Sequence, residues 1–437
     1  MKTFHKGGIH PNPDKLTADI PTMPVAAPSV CRLMLSQAIG APAKPLVKPG
    51  DSVTAGQMVA EAGGFVSAPV HTPVSGTVKK IESIRNPQGM WQDAIIIETA
   101  TDAQPDIQPE KQSQCHTIEE VTPKEIIDIV GRAGIVGLGG ATFPTRVKLS
   151  VPAGKKAEVI VINGAECEPY LTCDDRLMQE HPDAIVNGTL LIMKATDCPR
   201  AIIGIEENKP LAIEAMRHAV RDIPSITVEV LVKKYPQGSE KQLIEATTGR
   251  VVPAGGLPID AGAIVDNVAT AAAIADAVLF NLPLTSRIVT VTGPTLKKPG
   301  NFLVPLGTPI NTLIELAGGL PEDTGKVIGG GPMMGRAMCD LDAPTTKGLS
   351  GVLILPRDMS MRAQAGPCIR CARCVSVCPM GLEPYLLMTL GELGRWEEAK
   401  ARGAANCLEC GCCSYTCPAS RPLLDYIRLD KMEIRKL

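Results

Sequence analysis

A cysteine spacing that occurs twice near the C-terminus constrains this chain more than any other feature. The pattern Cys-x2-Cys-x2-Cys-x3-Cys-Pro is formed first by Cys368, Cys371, Cys374 and Cys378, and again by Cys407, Cys410, Cys413 and Cys417. Three thiolates spaced in this way let a short loop hold three corners of an iron-sulfur cubane, and a more distant cysteine completes the set. The repeat therefore predicts two 4Fe-4S clusters.

The two ligand sets are expected to cross, because in two-cluster proteins with this spacing the fourth cysteine binds the other cluster. One cluster is assigned to Cys368, Cys371, Cys374 and Cys417, and the other to Cys407, Cys410, Cys413 and Cys378. Zinc is the alternative metal, but its sites use two pairs of ligands and need neither a third CxxC step nor a Cys-Pro ending. Cys412 is out of register and is interpreted as a packed thiol.

The sequence around the motifs predicts a mainly helical domain over residues 359–437. Pro379 and Pro418 follow the fourth cysteines and suit the first position of a helix, where a missing amide hydrogen costs nothing. Apolar residues recur at helical spacing between the motifs, namely Leu386, Leu387, Leu390, Leu393 and Trp396.

Residues 1–110 are predicted to form a small β module. Pro-Gly and Ala-Gly steps separate short apolar strands between residues 48 and 78, which is typical of tight turns. The pattern resembles a lipoyl or biotinyl domain, a barrel-sandwich hybrid. Those domains carry a modified lysine at a hairpin tip, but the tip here, Gly63–Ser67, has no lysine. A structural or docking module is therefore expected rather than a swinging-arm carrier. The stretch 101–117 is interpreted as a linker.

Residues 118–284 predict an α/β layer domain. Strand candidates lie at 159–162, 201–205 and 227–232, and the clearest helix candidate covers 209–220. A glycine-rich segment over 131–144 precedes Lys148 and allows backbone amides to approach a phosphate closely. It is not the dinucleotide fingerprint, because Thr142 stands where the third glycine of G-x-G-x-x-G belongs. A loop without a ligand is the alternative interpretation.

Residues 285–358 are expected to form a smaller α+β domain. Strands are predicted at 287–292 and 351–355, and an amphipathic helix near 309–317. The run Gly329–Gly335 is interpreted as a turn near an interface, with a second ligand loop as the alternative.

Composition excludes several functions for this chain of 437 residues. The 44 Lys and Arg residues are balanced by 46 Asp and Glu, and aromatic residues make up 3%, so a nucleic-acid surface is not expected. No run approaches the roughly 18 uncharged apolar residues of a membrane span. No export signal is visible, so the 15 cysteines are expected in a reducing compartment and to bind metal. None of the 6 histidines forms a recognisable hydrolytic site.

The segments 134–148 and 163–169 resemble the flavin- and NADH-binding subunit of respiratory complex I. The segments 235–240 and 265–270 resemble that family's two further flavin segments in the same order. The early Gly-Gly-Ile-His-Pro of 7–11 and the doubled cysteine motif narrow the resemblance to the RnfC family of Rnf electron transport complexes. The resemblance implies a multidomain α/β protein with a Rossmann-like flavin and NADH domain, a β-grasp domain of the SLBB type and a helical two-cluster ferredoxin domain.

The resemblance also implies which residues bind FMN and NAD(H). The backbone of Gly137, Leu138, Gly139 and Gly140 would contact the flavin and its phosphate, with Lys148 as a cation. Asn163, Glu166, Tyr235, Gly238 and Glu240 would line the flavin, and Asp266, Asn267 and Thr270 would approach the phosphate end. Phe143 and Glu168 match positions that contact NADH. The chain departs from the family at Leu138, Ala165 and Ser239, and the segment 251–258 lacks an aromatic residue that could stack on adenine.

The function implied is hydride exchange between NAD(H) and FMN, followed by single-electron transfer through both clusters, with no catalytic side chain required. The implied partners are the other Rnf subunits, with ferredoxin reached indirectly, in an assembly that moves sodium ions or protons. The chain is expected to be a peripheral subunit on the cytoplasmic face of the cell membrane. The alternatives are a soluble reductase, such as a cobalamin reductase or the electron-transfer subunit of proline reductase, and a non-enzymatic iron-sulfur scaffold.

Overall fold

The computed structural model describes residues 1–100 and 114–437. Most of the predicted linker, 101–113, lies outside the described residues. Among the helices of the described part, none has both the length and the apolar composition needed to cross a bilayer.

The first 24 residues form an N-terminal arm that packs on later parts of the chain. Lys2 bridges to Leu231 in parallel and Ile9 bridges to Tyr235 in antiparallel fashion. Strand β1 (Thr22–Pro24) pairs in parallel with residues 301–303. The arm therefore ties the chain start to two other domains, instead of belonging to the sheets of the β module.

The β module contains two small sheets that face a common core. Its strands are β2 (Val30–Met34), β3 (Lys44–Pro45), β4 (Ser52–Val53), β5 (Met58–Glu61), β6 (Val70–His71), β7 (Gly76–Arg85) and β8 (Trp91–Thr99). One sheet has the order β2-β8-β7-β4 and the other β3-β5-β6. Alternating residues such as Leu33 and Ile95 point inward and are fully buried, as expected of half-buried strands.

The α/β domain is built on four parallel strands in the order β11-β10-β9-β12. Its elements are α1 (Pro123–Arg132), α2 (Thr145–Leu149), β9 (Val159–Gly164), α3 (Cys173–Glu180), α4 (Pro182–Ala195), β10 (Ala201–Glu206), α5 (Pro210–Ala219), β11 (Ile226–Leu231), α6 (Glu240–Thr248), β12 (Ala263–Asn267) and α7 (Val268–Phe280). The three predicted strands and the predicted helix are present with small shifts of their ends. The next strand after β9, β10, lies on one side of β9, whereas β12 lies on its other side. At such a change of direction a crevice forms between the carboxyl ends of the two neighbouring strands, here β9 and β12.

The third domain contains a six-stranded mixed sheet in the order β1-β14-β13-β17-β15-β16. Its elements are β13 (Ser286–Thr292), β14 (Gly300–Pro305), α8 (Ile310–Leu316), β15 (Thr324–Gly329), β16 (Arg336–Ala337), β17 (Gly351–Pro356) and α9 (Arg357–Ser360). Apolar residues of α8, including Ile310 and Leu313, pack against Val289 and Val352 of the sheet. We call it the mixed-sheet domain.

The C-terminal cysteine domain is helical, with α10 (Arg373–Ser376), α11 (Pro384–Glu392), α12 (Trp396–Ala401), α13 (Cys412–Tyr415) and α14 (Leu423–Ile434). The prediction that Pro379 and Pro418 begin helices is wrong, because both lie in turns and the next helices begin at Pro384 and Leu423. In the first turn the amide of Gly381 donates to the Cys378 carbonyl at 3.1 Å, and the amide of Leu382 donates to the Cys378 Sγ at 3.3 Å. The turn thus directs a donor at the cysteine sulfur.

Three domains meet at the buried side chain of Lys347. Its Nζ donates to the carbonyl oxygens of Pro69 and Gly134, each at 2.7 Å, and its backbone amide donates to Gln37. Burial lowers the pKa of Lys347 to about 7. The junction fixes the start of the glycine-rich segment against the β module and the mixed-sheet domain.

Candidate functional site

The crevice at the carboxyl ends of β9 and β12 collects the segments singled out in the sequence. Asn163 is the penultimate residue of β9 and Asn267 the last of β12, and the two lie opposite each other in the sheet register. The Asn163 Nδ2 donates to the Gly238 carbonyl at 2.8 Å, and the Asn267 Nδ2 donates to Asp174 at 2.6 Å. Residues far apart in the sequence therefore form one site because their strands end at the same edge of the sheet.

The glycine-rich segment lies over this crevice. The Leu138 amide donates to the Thr270 hydroxyl at 2.9 Å. A Cβ at Gly139 would lie 2.6 Å from the Asn267 Nδ2, so only glycine fits there. At Gly140 no heavy atom of the described residues lies within 4 Å of the corresponding Cβ position. The segment is thus packed tightly on one side and leaves open space beside Gly140, as a backbone cradle for a ligand requires.

A buried charged group lies next to the cradle. The Lys148 Nζ lies 3.6 Å from Asp266 Oδ1 and 3.4 Å from Glu240 Oε1, and it donates to the Val265 carbonyl at 2.6 Å. Burial opposes the charge on Lys148, but Asp266 and Glu240 outweigh it and raise the pKa. Asp266 is 2% exposed, and neither of its carboxylate oxygens has a hydrogen-bond partner among the described residues. Buried acceptors without donors fit a hydroxyl-bearing ligand such as the ribityl chain of FMN.

Glu166 has a structural use in this arrangement. Its backbone has a φ of 45°, and its carboxylate accepts from the amides of Asp174, at 2.7 Å, and Asp175, at 3.3 Å, at the start of α3. Burial and then Glu166 raise the pKa of Asp174 to about 7. The carboxylate of Glu166 thus caps the start of α3. Its predicted contact with the flavin stays a prediction.

Two lysines, the half-buried Lys15 and the buried Lys209, donate to backbone carbonyls of the loop 165–171. The Lys15 Nζ donates to the carbonyls of Glu166, at 2.8 Å, and Glu168, at 3.0 Å, and also to that of Leu171. The Lys209 Nζ donates to the Ala165 carbonyl at 2.7 Å. Sequence reasoning missed both lysines. Lys15 belongs to the N-terminal arm, and nothing in its neighbourhood along the chain points to a loop about 150 residues away.

Arg287 is a second functional candidate that sequence reasoning missed. It enters from β13 of the mixed-sheet domain, is buried, and donates to the Leu138 carbonyl at 2.9 Å. Arg287 therefore brings a guanidinium to this loop from another domain, a contact that only the packing of the domains reveals.

Glu168 and Tyr235 join the crevice to the other domains. The Glu168 carboxylate accepts from the amides of Met333, at 3.0 Å, and Met334, at 2.8 Å, and burial raises its pKa to about 7. The run 329–335 thus forms an interdomain contact. The Tyr235 hydroxyl donates to the Cys410 carbonyl at 2.9 Å. Phe143 is half-buried and its carbonyl accepts from the Gly137 amide at 2.9 Å, which places its backbone beside the glycine-rich segment.

The second cysteine motif lines a small cavity. The cysteines at its walls are Cys378, Cys407, Cys410, Cys412 and Cys413, with apolar residues that include Leu382, Leu424 and Ile427. The first motif therefore contributes Cys378 to the second motif's cavity. Burial raises the pKa of Cys407 to about 11, so the thiol needs the positive charge of a metal to ionise.

The remaining cysteines form a second group nearer the surface. Cys374 and Cys417 pack together with Met388, Leu423 and Cys413 of the first group, while Cys368 and Cys371 are exposed. Burial, and after it Cys417, raise the pKa of Cys374, and Cys371 makes a smaller contribution. The eight thiols suit two cubanes in chemistry and number of donors, and the crossed assignment of the ligands stays a prediction.

Four family models match the chain and cover its successive regions. They describe an RnfC barrel sandwich hybrid domain at 2–102, a Nuo51 FMN-binding domain at 130–276, an SLBB domain at 288–337 and a 4Fe-4S dicluster domain at 360–418. The fold and sites therefore define a multidomain flavin and iron-sulfur oxidoreductase protein, as the predicted fold class stated.

Relatives of similar length identify the family. The chain is 44% identical to the C subunit of the Na(+)-translocating ferredoxin:NAD(+) oxidoreductase complex of Acetobacterium woodii, over 98% of this chain and 96% of the relative. It is 44% identical to the C subunit of the proton-translocating ferredoxin:NAD(+) oxidoreductase complex of Clostridium ljungdahlii, over 100% of this chain and 94% of the relative. It is 41% identical to the C subunit of the ion-translocating oxidoreductase complex of Rhodobacter capsulatus, over 91% of this chain and 77% of the relative. The chain belongs to the RnfC family, which confirms the resemblance.

A more distant likeness exists among solved structures. A chain in the crystal structure of NAD+-reducing [NiFe]-hydrogenase in the H2-reduced state has 19% sequence identity to this chain and a TM-score of 0.49. The match covers 75% of this chain and 65% of the hydrogenase chain.

Paired cysteine substitutions test the crossed ligand sets. We expect Cys378→Ala combined with Cys410→Ala to abolish one cluster and keep the other, whereas Cys378→Ala combined with Cys371→Ala abolishes both. The measurement is iron content with EPR of the reduced, anaerobically purified protein. Cys412→Ala is the control and keeps both signals. If the double variant Cys371→Ala/Cys378→Ala kept one intact cluster, Cys378 would bind the same cluster as Cys371, and the ligand sets would not cross.

A pH series tests the buried Asp266 in flavin-free protein. Burial raises its pKa from 3.8 to about 6, although Lys148 lowers it. The folded state thus binds the proton more tightly than the unfolded state, so stability falls as the pH rises through this window. The side chain introduced by Asp266→Asn cannot ionise. We therefore expect the free energy of unfolding of this variant, relative to that of the wild type, to rise by up to about 3 kcal/mol as the pH increases from about 4 to about 7. Thermal melts measure the difference, with exposed Asp183→Asn as control. A pH-independent difference contradicts the argument.

Removal of the Lys15 ammonium tests whether the loop 165–171 belongs to the flavin site. Lys15→Met leaves buried carbonyls without donors, so we expect the loop to move and FMN to bind about tenfold more weakly, which corresponds to roughly 1.4 kcal/mol. Flavin fluorescence titration gives the affinity. Lys2→Met, an exposed lysine of the same arm, is the matched control. Equal affinity in both variants rules out this positioning role.

Proposed function

We propose that this chain exchanges hydride between NAD(H) and FMN and passes electrons singly through two 4Fe-4S clusters to partner subunits. The assembly is a membrane ion-translocating ferredoxin:NAD(+) oxidoreductase of the kind named for the relatives from A. woodii and C. ljungdahlii. In it the chain is a peripheral subunit on the cytoplasmic face of the membrane. It reaches ferredoxin indirectly, through other subunits.

The observation that carries the proposal is the hydrogen bond from Tyr235 to the Cys410 carbonyl. Tyr235 belongs to a flavin segment and Cys410 to the cavity formed by the second cysteine motif. One side chain thus spans the two sites. FMN, when bound, supplies the conversion between paired and single electrons.

The chain's own residues bind and orient the cofactors. The backbone at Gly139 and Gly140 forms the cradle, Asp266 offers acceptors to hydroxyl groups, and Lys148 supplies a cation. Phe143 and Glu168 are proposed at the nicotinamide side, and the contact of Glu168 with the loop 329–335 closes that side against the mixed-sheet domain.

The positions of the cysteines support an order of electron transfer. The set of Cys378, Cys407, Cys410 and Cys413 adjoins Tyr235, and its members are buried or half-buried. The other set includes the exposed Cys368 and Cys371. Electrons from the flavin site would therefore reach the buried set first and leave the chain from the exposed set.

A glycine substitution in the open part of the cradle tests the function. Gly140→Val has room in the described structure but would enter the space proposed for FMN. We expect unchanged iron content and melting temperature, with FMN content and NADH oxidation by ferricyanide each reduced about tenfold or more. Gly64→Val, at the exposed tip of the β module, is the control.

Two outcomes contradict the proposal. Wild-type protein with both clusters but without FMN or NADH oxidation indicates an iron-sulfur scaffold. Full activity together with failure to bind the membrane subunits indicates a soluble reductase.

A further inference from the structure

Arg287 reaches the glycine-rich segment from the mixed-sheet domain and is only 4% exposed. Its Nη2 donates to the Leu138 carbonyl at 2.9 Å, whereas its Nε has no hydrogen-bond partner among the described residues. Within the described parts of the chain, Arg287 forms no salt bridge. Burial of a cation without an ion-pair partner is costly. The structure therefore leaves an unused donor and an unpaired positive charge against the glycine-rich segment.

The surroundings of Arg287 connect it to the other side of the crevice. Burial lowers the pKa of the Arg287 guanidinium, and Cys173 and Asp174 at the start of α3 oppose that effect. The Asp174 carboxylate already accepts from the Asn267 Nδ2 at 2.6 Å, and a Cβ at Gly139 would lie 2.6 Å from that same nitrogen. The guanidinium, the start of α3, Asn267 and the glycine-rich segment are therefore neighbours.

The hydrogen bond from Arg287 fixes the direction of one peptide group. The peptide bond between Leu138 and Gly139 is trans. In a trans peptide the carbonyl and the following amide point in opposite directions. Because Arg287 holds the Leu138 carbonyl, the Gly139 N–H points away from the guanidinium. The amide of Leu138 itself donates to the Thr270 hydroxyl at 2.9 Å, so both peptide groups that flank Leu138 are held.

The amides of Gly139 and Gly140 are unused within the described structure. Neither donates to another described residue, and the space beside Gly140 is open. The start of α7 lies next to them, where the Asn267 side chain caps the helix by accepting from the Ala269 amide at 2.8 Å. Free backbone amides beside a helix N-terminus favour an anion. The arrangement therefore suits a phosphate group.

We propose that Arg287 is a positioning residue for the flavin phosphate, because it holds the Gly139 amide in the orientation that binds this group. The inference rests on the proposed function, which places FMN in this crevice. A cation on the carbonyl side polarises the peptide and strengthens its N–H as a donor. The phosphate in turn supplies the counter-charge that Arg287 lacks. Since Arg287 belongs to β13, phosphate binding also depends on the contact between the mixed-sheet and α/β domains.

A comparison of FMN with riboflavin tests this role, because riboflavin lacks the phosphate. Dissociation constants are measured by flavin fluorescence titration of the flavin-free protein with both clusters in place. The wild type is expected to bind FMN more tightly than riboflavin. We expect Arg287→Met to bind FMN about tenfold or more weakly than the wild type, since a charge-assisted interaction is lost, and to bind riboflavin within about twofold of it.

Two further variants make the result specific. Arg336→Met changes an exposed arginine of the same domain and should leave both dissociation constants unchanged. Arg287→Lys keeps a cation that can donate to the Leu138 carbonyl but loses the planar fork of the guanidinium. Its FMN affinity should fall by about threefold and its riboflavin affinity should not change. If Arg287→Met does not fold, as judged by its melting curve, Arg287→Lys decides between the same outcomes.

The outcomes separate this inference from the proposed function. If the wild type binds neither flavin, the proposed function is wrong, and the inference falls with it. If the wild type binds FMN and the Arg287 variants bind it equally well, only the inference is overturned. The same holds if the variants lose affinity for FMN and riboflavin to the same extent, because a purely structural contact of Arg287 would not distinguish the two flavins.

Discussion

The structure depends on bringing a flavin segment and a cysteine motif against each other, and the contact that achieves this is the hydrogen bond from Tyr235 to Cys410. Around it, Ile9, Tyr235, Cys410 and Cys412 form a small buried cluster, with Met333 packed against it. These residues come from the arm, the α/β domain, the cysteine domain and the mixed-sheet domain. Four parts of the chain therefore contact one another at this point.

Buried charges stabilise the loops around that point. Lys15 and Lys209 are surrounded by carbonyl oxygens, and Glu206 lies 3.8 Å from the Lys209 Nζ. Burial of an unpaired cation costs several kcal/mol, so such lysines persist only where several acceptors converge. Their effect is to hold the loop 165–171 in one conformation, including the left-handed backbone at Glu166. The arm, which precedes the β module in sequence, is thereby part of the flavin domain in space.

The two copies of the cysteine motif differ in their surroundings despite equal spacing. The second is enclosed by apolar residues of the helices and lies next to Tyr235. The first begins in an exposed segment that carries Cys368 and Cys371, and ends at the buried Cys378. The two motifs therefore differ in their exposure to solvent, although their spacing along the chain is the same.

Sequence alone determined the features that depend on local pattern: the two cysteine motifs, the strands around 159–162 and 201–205, the glycine-rich segment and the four-domain order. These follow from spacing and periodicity, which need no knowledge of distant residues. Only the tertiary structure decided that Pro379 and Pro418 lie in turns, that Lys15 and Arg287 reach the crevice, and that Glu168 contacts the mixed-sheet domain. The last three are contacts between residues remote in the chain, and the turns are fixed by how the cysteine domain packs. The free energy of such packing depends on whole domains, which no local pattern records.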